Sequence, residues 1–241
     1  MDDESDIESE AGLLKKIVGW LLQPKATIFL IAATIVASIY GFSLTEGAFS
    51  TLMLSPSGLL SGNYLSLISS IFIHANLRHL LGNMFFLFVM GRVVESRFGG
   101  LKMIALYTVS GIFAGLLHIA LQMLVFGTNV LLLGASGAIS GLIAAALLYK
   151  PFQLTFLFGI PLPILVVGWA GILKDLIGAT AELLGINISD IAFFAHLGGY
   201  IGMVLGLFLL ADDKRPLFKG LLINLVFAGV LVFTGIWRVL V

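Results

Sequence analysis

The chain has 241 residues, of which 59% are hydrophobic and only 11% charged, with 13 acidic and 13 basic side chains. Soluble domains carry about 25% charged residues, and the mean hydropathy of +1.11 excludes a soluble core in favour of a polytopic, all-α membrane helix bundle. Cysteine is absent, which excludes disulfides, thiol chemistry and cysteine-based metal sites.

The balanced net charge conceals an asymmetry. Six acids (Asp2, Asp3, Glu4, Asp6, Glu8 and Glu10) lie in the first ten residues, leaving seven acids against thirteen bases. Residues 1–12 read as a solvated acidic tail, and this acidic start argues against a cleaved secretory signal. Residues 13–22, where Lys15 and Lys16 sit among leucines and Trp20, suit a helix lying in the membrane interface. A first span is expected over 26–42. Residues 43–64 carry Glu46 as their only charge and read as a loop partly sunk in the membrane. A second span is expected over 65–91, a third over 102–126, a fourth over 134–149 and a fifth over 152–172. Pro161 and Pro163 should kink or break the fifth. Lys174, Asp175, Glu182 and Asp190 fall in a short outer stretch before a sixth span at 191–211. A charged turn at 212–219 precedes a seventh span at 220–237. The domain division is 1–25 for tail and interfacial segment, 26–211 for a six-helix core, and 212–241 for the turn and additional helix.

With the N-terminus in the cytoplasm, ten basic residues fall inside, from Lys15 to Lys219, and only Arg78, Lys174 and Arg238 fall outside. That is a positive-inside bias. An α-helix rises about 1.5 Å per residue. Ser136, fourteen residues from Lys150, then lies about 21 Å above the inner boundary. His196 and His79 come out at about 24 and 20 Å by the same reckoning. All three fall in the outer third of a hydrocarbon layer about 30 Å thick.

The residues at that level can do chemistry. Ser136 sits in Gly134-Ala135-Ser136-Gly137-Ala138, at the head of an apolar run. Small residues around a serine also serve helix packing alone. His196 stands alone in the sixth span, and intramembrane ionisable residues mark function by default. His79 and Asn83 are spaced i, i+4 and share a helix face; with His74 they offer donors without a permanent charge, suited to an oxyanion in low dielectric. Interhelical hydrogen bonding is an equal alternative for this group. A zinc site from His74, His79 and His196 is a third reading, weakened by the lack of His-Glu-x-x-His spacing and of a nearby carboxylate. His118 receives no role. Gly137 and Gly141 on the fourth span, and Gly199, Gly202 and Gly206 on the sixth, form stripes along which two helices can pack at backbone distance. Such packing would bring the Ser136 hydroxyl within reach of His196.

Three segments together resemble the rhomboid intramembrane serine proteases: His74-x4-His79-x3-Asn83, Gly134-Ala-Ser136-Gly137 and Ala195-His196-x2-Gly199, in the family's order. The resemblance implies a six-helix rhomboid core plus a seventh C-terminal helix, with a Ser136–His196 catalytic dyad. His79, Asn83 and the Ser136 backbone N–H would form the oxyanion hole, with His74 assisting. Glu95, Arg97 and Gly99 resemble the family's structural Glu-x-Arg-x-Gly helix end. The sequence departs from the pattern at Ser140, where some members carry a tyrosine packed on the histidine, so another group must orient His196. Asp190, six residues before His196, is expected above the membrane, so no triad is expected. The implied function is cleavage of transmembrane protein substrates near the outer boundary, in a multi-pass protein of the plasma membrane. No cofactor, metal or nucleic acid is expected, and the oligomeric state is open. A non-catalytic rhomboid-like binding protein and a transporter are the alternatives.

Overall fold

The computed structural model of the chain describes residues 23–157, 159–186 and 191–235. The expected acidic tail and interfacial helix, Asp190 and Arg238 lie outside the described residues. Within them, six helices are long and apolar enough to cross a membrane, and a seventh, shorter apolar helix joins them. In chain order they begin with α1 (Lys25–Phe42), followed by short helices α2 (Glu46–Leu52), α3 (Pro56–Leu60) and α4 (Ser66–Phe72). The long helices α5 (Leu77–Phe98) and α6 (Gly100–Leu121) follow, with a π-helical turn at Gln122–Phe126. The short helix α7 (Ser136–Tyr149) precedes the strands β1 (Leu154–Leu157) and β2 (Ile160–Pro163). Helices α8 (Ile164–Leu183), α9 (Phe193–Leu210) and α10 (Arg215–Thr234) complete the chain.

Three spans differ from the sequence reading: the second is Leu77–Phe98 and not 65–91, the fifth is Ile164–Leu183 and not 152–172, and the seventh starts at Arg215 and not at 220. The second span does not run through from residue 65. The chain breaks at 73–76 and restarts as α5, whose first turn is capped by Asn76 Oδ1 accepting the His79 N–H at 2.9 Å. A capped start satisfies a backbone donor that a helix terminus would otherwise leave unpaired. The fifth span begins at residue 164, not 152. Pro161 and Pro163 cannot donate to a helix ladder, and here they lie in an antiparallel hairpin pairing Leu154 with Pro163 and Leu157 with Ile160. Pro163 becomes the N-cap of α8. Asp175 consequently lies within a membrane helix and not in an outer loop.

The sunken loop holds α2 to α4 and is tied to the chain before α7 by a bridge between Leu54 and Leu132. Glu95, near the end of α5, accepts from the N–H groups of Ala26 and Thr27 at 2.9 and 2.8 Å and from the Thr27 hydroxyl at 2.7 Å. It thereby caps α1, which has no side-chain cap of its own. Gly99 turns the chain into α6 at φ +79°.

Helix α7 sits at the centre, packed against α5, α6, α8, α9 and α10. Its glycines and alanines let these neighbours approach closely. Its 14 residues make it about 21 Å long, too short for the bilayer. At least one of its ends therefore lies below a membrane surface. Helix α10 docks on α7 and α8 through Asn224, which donates to the Leu147 carbonyl at 3.0 Å and accepts from Trp169 Nε1 at 2.8 Å.

Candidate active site

Ser136 is the first residue of α7 and is half-buried. The turn before it is held from below. The Gly134 N–H donates to the Ser70 carbonyl at 2.8 Å, and the Ala135 N–H to His74 Nε2 at 3.3 Å. Since Nε2 accepts, the His74 proton lies on Nδ1, where it faces Ser38 Oγ at 3.1 Å; that hydroxyl donates onward to the Phe72 carbonyl at 3.1 Å. In this tautomer His74 has no N–H left to offer a substrate. Gly134 has φ +114°, and a Cβ there would come within 2.8 Å of His79 Cε1. Only glycine allows both the backbone conformation and the contact. The His79 ring thus lies against the serine turn, and it meets His74 edge-on at a centroid distance of 4.9 Å. Asn83 is buried one turn below and donates to the His79 carbonyl at 2.9 Å, leaving its second amide N–H free of that bond. A cavity of about 20 Å3 opens beside Ser136, lined among others by Ser70, Gly134, Gly137 and Ala195. A second cavity, of about 560 Å3, is an apolar cleft between α8 and α10 that touches none of these residues.

The glycine stripes meet. A Cβ on Gly199 would collide with the Gly137 carbonyl oxygen, and one on Gly141 would come within 3.1 Å of the Gly199 carbonyl. A Cβ on Gly137 would lie 3.4 Å from the Ala195 carbonyl. Helices α7 and α9 are therefore in backbone contact where one begins with Ser136 and the other carries Ala195-His196. His196 is buried, with 9% exposure, and lies within electrostatic range of both His79 and His118. Its Nδ1 is 2.8 Å from Asp175 Oδ1 on α8. Asp175 is only 2% exposed, and its other oxygen accepts from the Tyr200 hydroxyl at 2.7 Å. Ser140 faces that hydroxyl from α7.

A rhomboid-domain family model matches residues 61–212. The chain belongs to the rhomboid family. This rhomboid protein is 31% identical over 146 residues to rhomboid-like protein 11, chloroplastic, of Arabidopsis thaliana, covering 57% of this chain and 50% of that one. It is 39% identical over 88 residues to rhomboid-like protease 1 of Toxoplasma gondii, covering 36% and 29%. A third similarity, 31% over 157 residues, is to RHOMBOID-like protein 6, mitochondrial, of Arabidopsis thaliana, covering 61% and 44%. The rhomboid chain thus spans half or less of the length of these relatives. It is a multi-pass membrane protein with a helical-bundle fold.

The residues singled out from sequence gather at one end of α5, α7 and α9. The arrangement disfavours a zinc site from His74, His79 and His196. Both nitrogens of His74 face other partners, and His196 Nδ1 faces Asp175. Among the described residues no cluster of three His, Asp or Glu side chains is placed to hold a metal ion. His118 is buried on α6, 4% exposed, and its Nδ1 has no hydrogen-bond partner among the described residues. Asp175 and Tyr200 are the site residues that sequence reasoning did not assign. A signal for the first was present: once the fifth span is started after Pro163, Asp175 falls at its twelfth position, an acid inside a membrane helix. Tyr200 follows His196 by four residues and so shares its face.

Proposed function

We propose that this rhomboid protein is an intramembrane serine endopeptidase that cleaves transmembrane protein substrates near the outer membrane boundary. The observation that carries this reading is the backbone contact of α7 and α9 at Gly137 and Gly199, which sets the helix start bearing Ser136 beside the turn bearing His196. The word "protease" in the name of the Toxoplasma relative supports it. His196 Nε2 takes the proton of the Ser136 hydroxyl as Oγ attacks a peptide carbonyl. The carbonyl π electrons move to oxygen, and the Ser136 N–H, His79 and the free Asn83 amide N–H would stabilise that oxyanion. The C–N bond then breaks, with His196 returning its proton to the leaving amine. Water attacks the acyl ester by the same path, and Ser136 regains its proton. We assign His74 to holding the turn beneath the serine and not to the oxyanion. We place the protein in the plasma membrane with the N-terminus in the cytoplasm; the charge asymmetry of the loops supports that orientation.

The test uses purified protein in detergent and a fluorophosphonate probe, with a transmembrane substrate reconstituted in parallel. Wild type should be labelled and Ser136→Ala should not. Cleavage products mapped by mass spectrometry should end in the outer third of the substrate span. Cleavage retained by pure Ser136→Ala protein, or scissile bonds in the cytoplasmic half, would overturn the reading. Absence of labelling and cleavage in wild type would favour a non-catalytic rhomboid-like binding protein instead.

A further inference from the structure

We propose that Asp175 is a positioning residue for His196, so that the site works as a serine–histidine–aspartate relay spread over three helices, with Tyr200 bracing the carboxylate. The proposal rests on the protease reading above. Three independent features of the structure point to it.

Asp175 is an acid in the interior of a membrane helix and is 2% exposed. A carboxylate so placed is expensive in a low-dielectric surround unless both oxygens are satisfied. Both are, and each partner comes from α9: His196 Nδ1 at 2.8 Å on Oδ1 and the Tyr200 hydroxyl at 2.7 Å on Oδ2. His196 and Tyr200 lie one turn apart on one face, so the planar carboxylate spans them with one oxygen each. The geometry is also held by packing. A Cβ on Gly178, three residues beyond Asp175, would collide with the Phe193 ring, three residues before His196. Ala179, Phe193 and Phe194 form a buried cluster at the same junction. Glycine at 178 thus lets α8 come close enough to α9 for the short aspartate side chain to reach.

The bond has a chemical consequence. An imidazole that donates its Nδ1–H in a hydrogen bond to a carboxylate keeps the Nε2 lone pair for the serine hydroxyl, and the carboxylate stabilises the imidazolium that forms. The aspartate keeps its charge throughout; the proton travels between Ser136 Oγ, His196 Nε2 and the leaving amine. The arrangement also supplies what the sequence lacks. Ser140 has no ring to pack on the histidine, and it faces the Tyr200 hydroxyl instead. A competing role for Asp175 is to neutralise Lys174, whose Nζ lies 3.9 Å from Oδ1. That lysine side chain is 54% exposed and the separation is long, so the histidine is the closer and better buried partner.

The experiment compares wild type, Asp175→Asn, Asp175→Glu, Tyr200→Phe and Lys174→Met for kcat, KM, fluorophosphonate labelling rate per folded molecule, and melting temperature. Asp175→Asn should lower kcat by about a hundredfold or more while KM stays within about threefold, because it disturbs the tautomer and not substrate binding. Asp175→Glu should recover part of the loss, Tyr200→Phe should cost about tenfold, and Lys174→Met should leave kcat unchanged. Combined with His196→Ala, Asp175→Asn should cost nothing further, since the two act as a unit. If Asp175→Asn does not fold, Tyr200→Phe and Asp175→Glu carry the same comparison. Wild-type rates in Asp175→Asn, or in both of those variants, would overturn the proposal, as would equal losses in Lys174→Met. Should wild type depend on Ser136 and His196 yet not on Asp175, the relay alone fails. Activity that survives Ser136→Ala would instead sink the protease reading itself.

Discussion

Single atoms decide whether the serine helix and the histidine helix can touch. At Gly199 the absent Cβ would occupy the position of the Gly137 carbonyl oxygen, and a backbone oxygen inside a packed bundle has little room to yield. Further along the same stripe, a Cβ on Gly206 would sit 3.5 Å from Leu106 Cδ2, an ordinary contact. The two glycines look alike in sequence and differ in what they face. Gly199→Ala should therefore cost stability by about 1–3 kcal/mol through over-packing and cut the rate per folded molecule by a further factor of about a hundred, since a 1 Å displacement of reacting groups has that effect. Gly206→Ala should leave the rate within a few-fold and hold or raise the melting temperature, alanine being the better helix former by about 1 kcal/mol. Thermal unfolding in detergent alongside the labelling rate checks both. Equal behaviour of the two variants would mean that α7 and α9 are not in contact at residue 199.

Helix identities were legible in the sequence; the starts of α5, α8 and α10 were not. Apolar runs between charged turns identify every membrane helix that the structure contains, and α7, the shortest, is placed at Ser136 within two residues. Apolar character does not distinguish a membrane helix from the short helix or hairpin that leads into it, however. Residues 65–76 and 152–163 are as hydrophobic as the helices they precede, so hydropathy merged them with α5 and α8. Local chemistry would have separated them: Asn76 is a good N-cap, and Pro163 forbids a helix continuing through it. That second error displaced Asp175 from the membrane and concealed the carboxylate beside His196. The Glu95 contact shows the other limit, because its partners are 68 and 69 residues away in sequence. A carboxylate at a helix N-terminus also meets the positive end of the dipole. Hydrogen bonds to a charged group contribute about 1.5–3 kcal/mol, so Glu95→Ala should lower the melting temperature measurably. The rate per folded molecule should persist, since the contact lies at the opposite end of α5 from His79. A melting temperature unchanged by Glu95→Ala would show that α1 is held by apolar packing alone.

For the whole molecule, the arrangement of charge decides which end of the bundle faces which compartment, and with it, on the protease reading proposed above, where substrates would be cut. Alternate membrane helices run in opposite directions. The inner ends therefore gather Arg97 and Lys102 at the α5–α6 turn, Lys150 after α7, and Lys214, Arg215 and Lys219 around the α9–α10 turn. Only Arg78 and Lys174 stand toward the other end among the described residues. Basic residues near helix ends resist translocation, so this end should stay in the cytoplasm and the Ser136 end should face out. The absence of cysteine from the sequence makes the point directly measurable. Ser61 and Gln153 are both exposed polar residues, the first in the loop region after α3 and the second just before β1. Single-cysteine variants Ser61→Cys and Gln153→Cys place one thiol at each end of the bundle without touching the site. With a membrane-impermeant maleimide on intact expressing cells, Ser61→Cys should be labelled and Gln153→Cys only after permeabilisation. The reverse pattern would invert the molecule, move the serine to the cytoplasmic side, and require substrates to be cut there.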